Sequence, residues 1–369
     1  MAYRAGHKYV ITYKVLNETD MGILKKINRR RRAFMKGLTK NIGSCSYPKI
    51  KETPENIKIE KVLICRPNGR LGNLLLVTPL VQEITAVFPN CKIDLMVKGN
   101  LAPILFENYD AIDHTIKLPK KPFKSLFKYF QKWTAIRRTR YDLIINVVSY
   151  SSSGRLATWI ARGKYKLFGN DEGGMIASRY ENAQHMAKFP VYYFRDFLLH
   201  CGLAERSGAV PLLDLKLSTA ELEKGKGIVQ NIVGNGKKTI ALFTYATGHK
   251  CYSCDWWVHF YEALKQAFPE CNILEILPIE KVSQISFQAP AFYSKDVREI
   301  GAVIANTDVF VGADSGIMHL ASSVQTPTIG LFSVTDSTTY QPYGNNSLGV
   351  NTEEIGIEAC LALIRSRIG

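Results

Sequence analysis

The chain of 369 residues lacks any apolar run long enough to cross a membrane. Its first residues, MAYRAGHKYVITYKVL, lack the uninterrupted apolar stretch of a secretory signal peptide. Its eight cysteines are scattered rather than arranged as a disulfide framework. Cys251 and Cys254 form one Cys-x-x-Cys, but no second ligand pair follows at zinc spacing, so we expect no metal site there. These absences predict a cytoplasmic protein and leave the role of the two cysteines open.

Acidic residues are scarce in two segments of the chain. Residues 1–57 contain 13 Lys/Arg against 4 Asp/Glu, and residues 117–140 contain nine Lys/Arg and no acid. Apolar residues within 20–42 and aromatic residues within 117–140 recur at helical spacing, which is typical of helices that lie on a membrane surface. Solvated helix faces are the alternative. No nucleic-acid-binding module accompanies these segments, so we expect a membrane surface or an anionic glycolipid as partner and no nucleic acid.

Length and strand–helix alternation predict two α/β domains. A chain of this size exceeds the usual limit of one hydrophobic core. Short apolar strands such as KVLIC and TIALF alternate with amphipathic helices, which builds parallel, doubly wound sheets. We predict a basic amphipathic extension at 1–57, a first domain at 58–217, a linker at 218–236 and a second domain at 237–369.

Three polar loops follow predicted strands at 67–73, 244–250 and 314–316. Ligands of doubly wound sheets bind beyond the carboxyl ends of the strands. The first loop belongs to the first domain and the other two belong to the second. Two domains that face each other would therefore form a cleft lined by all three loops.

The stretch VGADSGIMHLASSV, at 311–324, predicts a buried strand, a tight loop and a helix. A small residue at a helix start leaves the first backbone N–H groups exposed, which makes an anion site. A plain N-cap formed by Asp314 or Ser315 is the alternative interpretation.

The segment 296–344 resembles the signature region of the ADP-heptose:lipopolysaccharide heptosyltransferases, glycosyltransferase family 9. The shared pattern is a strand followed by D-S-G-x-x-H-L-A, then T-P, L-F-x-x-T-D and P-x-G. The earlier segment ICRPNGRLGNLLLVTPLVQEITAVFP is similar to the amino-terminal unit of that family. The resemblance runs from about residue 60 to the end of the chain, and the first 57 residues have no match in it.

This resemblance implies a GT-B enzyme with two Rossmann-like domains that face each other across a cleft, the donor bound mainly by the second. It leaves open that the last helix packs back on the first domain. Lys250, seven residues before Trp257, matches the lysine associated with the donor phosphates, although the residues between depart from the family's K-x-W-P. A surface lysine is the alternative for Lys250. A structural role is the alternative for His319, and the alignment of Glu280 is weak. The implied donor-binding residues are Thr244, Thr247, Glu280, Asp314, Ser315, Gly316, His319, Thr335 and Asp336.

The acceptor-side loop, with Arg70 and Gly72, departs from the family pattern. The family loop ends in Gly-Asp, whose carboxylate is the usual candidate base, whereas this chain has Asn73. An amide does not accept a proton at neutral pH, so Asn73 orients a substrate but does not deprotonate it. The common aspartate of a later strand is also replaced, by Asn146. The identity of the catalytic base is therefore open.

The resemblance predicts an inverting transferase that needs no metal and no cofactor. It would move heptose from ADP-heptose to a lipopolysaccharide core or related glycolipid at the inner face of the bacterial inner membrane. One alternative is another nucleotide sugar such as GDP-fucose, since GRLGN at 69–73 resembles the loop of GDP-fucose-dependent fucosyltransferases. A catalytically silent binding protein is the other.

Overall fold

The computed structural model describes residues 37, 39, 42, 43, 45, 46, 57–119, 126–171 and 174–368, with the backbone alone for 126–130 and 132. Most of the predicted basic extension at 1–57, including most of the amphipathic segment at 20–42, lies outside the described residues. Part of the segment at 117–140 does so too. Among the residues described, no helix is long and apolar enough to cross a membrane.

The first domain contains five strands and seven helices among its described residues. In chain order they are β1 (Lys61–Cys65), α1 (Leu71–Leu75), α2 (Thr78–Val87), β2 (Lys92–Lys98), α3 (Ala102–Leu105), β3 (Ile112–Leu118), α4 (Leu126–Arg138), β4 (Arg140–Asn146), α5 (Ser152–Ile160), β5 (Arg162–Leu167), α6 (Met175–Arg179) and α7 (Lys188–His200). All neighbouring strands pair in parallel, in the order β3-β2-β1-β4-β5.

The second domain contains six strands, which also pair in parallel, in the order β11-β10-β9-β6-β7-β8. Its elements, starting from the preceding helix, are α8 (Thr219–Val233), β6 (Thr239–Phe243), α9 (Cys254–Ala267), β7 (Asn272–Ile276), β8 (Ala291–Phe292), α10 (Val297–Ala305), β9 (Val309–Ala313), α11 (Gly316–Ser323), β10 (Thr328–Phe332), α12 (Ser337–Tyr340), β11 (Leu348–Asn351) and α13 (Ile357–Ile368).

Both sheets reverse their strand order at one point, which confirms the predicted doubly wound fold. In the first sheet the reversal lies between β1 and β4, and in the second it lies between β6 and β9. Every residue of β6, β9 and β10 is buried, as expected for strands covered by helices on both faces. The crevice at such a reversal is where doubly wound sheets bind their ligands.

The last helix, α13, packs within the second domain. It contacts α9 and β9, and its buried residues Cys360, Leu361 and Ile364 belong to the core of the second sheet. It therefore does not follow the alternative, left open by the resemblance, of packing back on the first domain. The domain limits at 58–217 and 237–369 remain predictions.

Arg298 of α10 ties the two domains to the segment that connects them. Its guanidinium donates to the carbonyl oxygens of Ile104 at 3.2 Å, Leu215 at 3.2 Å and Lys216 at 2.9 Å. It also forms a two-point pair with Glu221, at 2.5 and 2.9 Å. Glu221 and Ser218 form a capping box that begins α8. One buried cation therefore fixes the connection between the domains.

The Arg298 pair makes stability depend on pH through Glu221. The hydrogen bond from Arg298 lowers the pKa of Glu221 from 4.5 to about 2. A carboxyl whose pKa is lower in the folded protein stabilises it above the unfolded pKa, and this contribution is lost as pH falls towards the folded pKa.

We therefore expect Glu221→Gln to destabilise the protein most above about pH 5, with the difference from wild type shrinking as pH falls towards 2. Urea unfolding followed by circular dichroism at several pH values measures it. A difference that stays constant over this range would contradict the role of the Glu221 charge.

Candidate active site

The three predicted loops lie at the carboxyl ends of β1, β6 and β9, as expected. These strands flank the two strand-order reversals. Helix α1, in the first loop, packs against α11, which begins in the third. The two crevices therefore meet at the domain interface.

Gly72 allows the two helices to approach closely. A β-carbon at Gly72 would overlap the imidazole ring of His319, and one at Gly316 would lie 3.0 Å from the β-carbon of Leu71. Gly72 therefore requires the absence of a side chain, whereas a β-carbon at Gly316 fits only if Leu71 shifts by a few tenths of an ångström. His319 thus contacts the first domain as well as lying one turn into α11.

Ser315 is the N-cap of α11, which is the alternative that the sequence left open. Its hydroxyl accepts from the backbone N–H of Met318 at 3.3 Å. The neighbouring Asp314 is buried, and its carboxylate forms an ion pair with the Lys250 ammonium. Lys250 ends a short 3₁₀ turn, Gly248–Lys250, and lies 64 residues before Asp314. The structure thus brings together two loops that the resemblance assigns to the donor.

His319 is neutral at neutral pH. Burial lowers its pKa to about 4, while the nearby Asp314 carboxylate acts in the opposite direction. A neutral imidazole adds no charge to the Lys250–Asp314 pair. It acts as a packing surface for Gly72 and as a polar wall of the site.

Asn73 binds Arg66, a residue that the sequence analysis did not single out. The Arg66 guanidinium donates to the Asn73 side-chain oxygen at 2.5 Å and to its backbone oxygen at 3.2 Å. Arg66 itself is buried, directly after β1. The amide at 73 is therefore held in one orientation by a cation.

Two tyrosines meet beside Arg66. Tyr150 follows β4, and Tyr340 ends α12 in the other domain; both lie near enough to Arg66 to influence its pKa, and Tyr340 also influences the pKa of Tyr150. The Tyr340 ring also lies 5.8 Å from the Lys250 ammonium. Tyr340 therefore links the two cations of the site.

Asp336 begins the helix that carries Tyr340. Its carboxylate accepts from the backbone N–H of Thr338 at 2.9 Å and from its hydroxyl at 2.7 Å. These bonds from Thr338 lower the pKa of the exposed Asp336 carboxyl. Thr335, next to it, is half-buried, and Arg70 is the exposed N-cap residue of α1. Asp336 thus has a visible structural task, the capping of α12.

The remaining predicted donor residues differ in burial. Thr244 is buried; its hydroxyl donates to Glu275 at 2.7 Å and accepts from the backbone N–H of Gln284 at 3.2 Å. Thr247 and Glu280 are exposed. Glu275, which accepts from Thr244, is fully buried, and burial raises its pKa. The hydroxyl of Thr244 is thus already engaged by protein groups.

Asn146 is a structural residue. It is fully buried, and its amide donates to the carbonyl oxygens of Val148 at 2.8 Å and Phe168 at 2.9 Å. An aspartate would accept but not donate at these two carbonyls, so the amide suits this position. Asn146 therefore shapes the turn after β4 that leads to Tyr150.

His185 is a further residue that the sequence analysis missed. Its Nδ1 accepts from the backbone N–H of Ala187 at 3.2 Å, so its Nε2 carries the proton donated to the carbonyl of Gln341 at 2.8 Å. Burial lowers its pKa to about 4, which keeps this neutral form. His185 thereby ties the first domain to the segment after Tyr340. In the sequence, Arg66 is recognisable as a cation that directly follows a buried strand, whereas no local pattern marks His185.

One acidic group has metal-ligand geometry among the residues described, Asp94 with Asp113 and His114. The ammonium of Lys61 already pairs with both aspartates. Since a lysine satisfies these carboxylates, the group is explained as an ion-pair cluster at the β1, β2 and β3 strands.

Comparison with known proteins points to one family. The profile of "Glycosyltransferase family 9 (heptosyltransferase)" matches residues 295–362, which include the Asp314 loop, α11 and Tyr340. The resemblance to glycosyltransferase family 9 is confirmed. Among curated relatives, a lipopolysaccharide heptosyltransferase 3 of Escherichia coli is 23% identical over 293 residues, which are 75% of this chain and 85% of the relative.

Solved structures of the family share the fold. A family 9 glycosyltransferase from Veillonella parvula superposes with a TM-score of 0.66 at 13% identity and covers 85% of this chain and 98% of its own. The E. coli heptosyltransferase WaaC, solved with ADP, gives 0.60 at 16% identity, with 83% and 99% covered. The chain thus has the GT-B fold, and its residues 295–362 are similar to glycosyltransferase family 9.

The Gly72–His319 contact is testable by stability. We expect Gly72→Ala to destabilise the protein by about 1–3 kcal/mol, because the added methyl overpacks the interface. In the double variant with His319→Ala the loss should be smaller than the sum of the two single losses. Denaturant unfolding measures all three variants.

Gly227→Ala is the matched control. A β-carbon at Gly227, inside α8, meets nothing within 4 Å. Alanine there should raise stability by about 0.5–1 kcal/mol through helix propensity. Additive losses at Gly72 and His319 would show that their contact does not hold the helices together.

Proposed function

We propose that the protein transfers a sugar, heptose from ADP-heptose, to a lipopolysaccharide core or a related cell-envelope glycolipid. The observation that carries this proposal is the Lys250–Asp314 pair at the start of α11, inside the region matched by the family profile. The names of the relatives, lipopolysaccharide heptosyltransferase 3 and a heptosyltransferase solved with ADP, support the same donor and acceptor.

The proposed reaction is a single in-line displacement that inverts the anomeric centre. Negative charge develops on the leaving nucleotide diphosphate as the glycosidic bond breaks. Lys250 and the backbone N–H groups at the start of α11 supply the positive electrostatic field that stabilises this charge. These groups belong to the protein, so the proposed stabilisation requires no metal and no cofactor.

In this proposal the second domain binds the donor through the loops at 244–250, 314–316 and 335–336. Since the Asp314 carboxylate pairs with Lys250 before any ligand arrives, the diphosphate would compete with Asp314 for the ammonium. The first domain, with Arg70, Gly72 and Asn73, faces the acceptor. Asn73 orients the acceptor hydroxyl through its amide, while the proton leaves to a group other than residue 73.

The test is turnover with a defined donor. Purified protein, ADP-heptose and heptose-deficient lipopolysaccharide should release ADP and add one sugar to the acceptor, measured by mass spectrometry. Turnover only with a GDP-sugar would replace the donor in the proposal. ADP-heptose binding without any turnover would favour the silent homologue, the second candidate, which the missing carboxylate at position 73 supports.

Lys250 is the most direct test of the donor site. We expect Lys250→Ala to lower kcat/KM at least about tenfold, because it removes the charge that stabilises the leaving group and leaves Asp314 buried and unpaired. Lys265→Ala, which removes an exposed lysine paired with Glu262 on α9, is the control and should change little. Equal kcat/KM for the Lys250 variant and wild type would remove Lys250 from the site.

We also propose that the protein works as a peripheral protein on the cytoplasmic face of the inner membrane, bound through 20–42 and 117–140. The described end of the second segment supports this. Arg137 and Arg140 line a cavity of about 920 Å³ together with Arg162, Lys166 and the exposed Trp159. A groove of cations beside an exposed indole suits anionic lipid headgroups.

Membrane binding is testable in the full chain by replacing Arg29, Arg30, Arg31 and Arg32 with Gln. Each cation near an anionic bilayer contributes about 1 kcal/mol, so sedimentation with phosphatidylglycerol vesicles should weaken at least about tenfold and fall with salt. Phosphatidylcholine vesicles are the control. Equal binding to both lipids would contradict an electrostatic attachment.

A further inference from the structure

Arg66 carries a buried positive charge that no described carboxylate neutralises. It is 6% exposed, and among the residues whose placement is described no acid lies within ion-pair distance of it. Arg195 and Lys250 each have a carboxylate partner, Glu83 and Asp314. The buried Arg155 also has no acid partner among the described residues, but each of its three guanidinium nitrogens donates to a neutral oxygen, of Thr39, Asn170 or Ile42. A buried charge without a counter-ion is unfavourable, and Arg66 has fewer such bonds to offset this cost.

The hydrogen bonds of Arg66 leave both charge and donors available. A guanidinium has five N–H groups and accepts nothing. Two of these groups reach Asn73, at 2.5 and 3.2 Å, and the other three make no bond to any residue that the structure describes. Asn73 offers only neutral oxygens, so it orients the guanidinium without neutralising it.

The amide group of Asn73 adds donors at the same place. Its oxygen accepts from Arg66, which leaves its NH₂ group with two N–H donors that bind no described residue. A cation and an amide NH₂ held together at the carboxyl end of β1 form a set of donors suited to an oxyanion.

Residue 73 distinguishes this loop from the family pattern that the chain resembles. An aspartate at position 73, the residue of the family loop, would place a carboxylate against Arg66 and cancel its charge internally. Asn73 keeps the shape of that contact and leaves a net positive charge. With aspartate at position 73, a candidate base would lie beside a neutralised cation. With asparagine, residues 66 and 73 together attract an anion.

We propose that Arg66 and Asn73 form a subsite for an oxyanion, a phosphate monoester or a carboxylate, carried by the acceptor. That the oxyanion belongs to the acceptor substrate rests on the proposed transferase function. It lies in the first domain at the β1–β4 reversal, whereas Lys250 and Asp314 lie at the β6–β9 reversal of the second domain. Donor diphosphate and acceptor oxyanion thus occupy separate positions in this proposal, one at each reversal.

Inorganic phosphate is the probe, titrated calorimetrically into the full chain at constant ionic strength with saturating ADP to occupy the donor side. Wild type should bind phosphate. Arg66→Gln should raise the dissociation constant at least about tenfold, as expected for a lost charge-assisted bond. Lys226→Gln removes an exposed lysine of α8 and is the matched control for net charge, so its phosphate affinity should not change.

Asn73→Asp is the second variant and separates binding from structure. Its carboxylate should neutralise Arg66, which raises the melting temperature and at the same time weakens phosphate binding at least about tenfold. A merely structural role of residue 73 would not produce these opposite changes. The variant also keeps the test decisive if Arg66→Gln does not fold.

Three results would overturn the subsite: no phosphate binding by wild type in the presence of ADP, equal affinity in wild type and Asn73→Asp, or displacement of phosphate by ADP at one to one. The last result would assign the anion to the donor instead. Phosphate binding of the expected pattern without any sugar transfer would contradict the proposed function and leave the oxyanion site intact.

Discussion

The packing of α1 on α11 is the contact on which the candidate site depends. Two helices from different domains meet at Gly72 and Gly316, where a β-carbon would overlap His319 or press on Leu71. Because each helix begins at the carboxyl end of a strand that flanks an order reversal, this single contact brings both crevices together. Arg298 and His185 hold the connecting segments around it.

The electrostatics of the cleft are asymmetric. On the second domain, Lys250 is already paired with Asp314, so the proposed diphosphate would replace one anion by another at the ammonium. On the first domain, Arg66 has only the neutral oxygens of Asn73. His319 and His185 add no charge, since burial lowers the pKa of each to about 4. In the proposed reaction, the two ends of the cleft would bind two different anionic groups, one from each substrate.

Local patterns were sufficient to predict the strands, the three loops and the helix capped by Ser315. Strands, helices and N-caps each depend on residues that are close together in the sequence. Partners distant in sequence were not predictable in this way. The carboxylate of Asp314 meets a lysine 64 residues earlier, and His319 meets a glycine of the other domain. Asn73 was identified as a departure from the family, but its bond to Arg66 emerged only when both ends of the β1 loop were placed. The packing partner of the last helix, α13, was also not predictable, since its apolar face could cover either domain. In the structure it packs against α9 of the second domain.

The central claim is that donor phosphates and an acceptor oxyanion occupy separate cationic positions of one cleft. A crystal structure of the full chain with a non-transferable ADP-heptose analogue and added phosphate tests this most directly. We expect the diphosphate within hydrogen-bond distance of Lys250 and the start of α11, with a separate phosphate on Arg66 and Asn73. A diphosphate bound to Arg66, or a nucleotide bound away from α11, would contradict it.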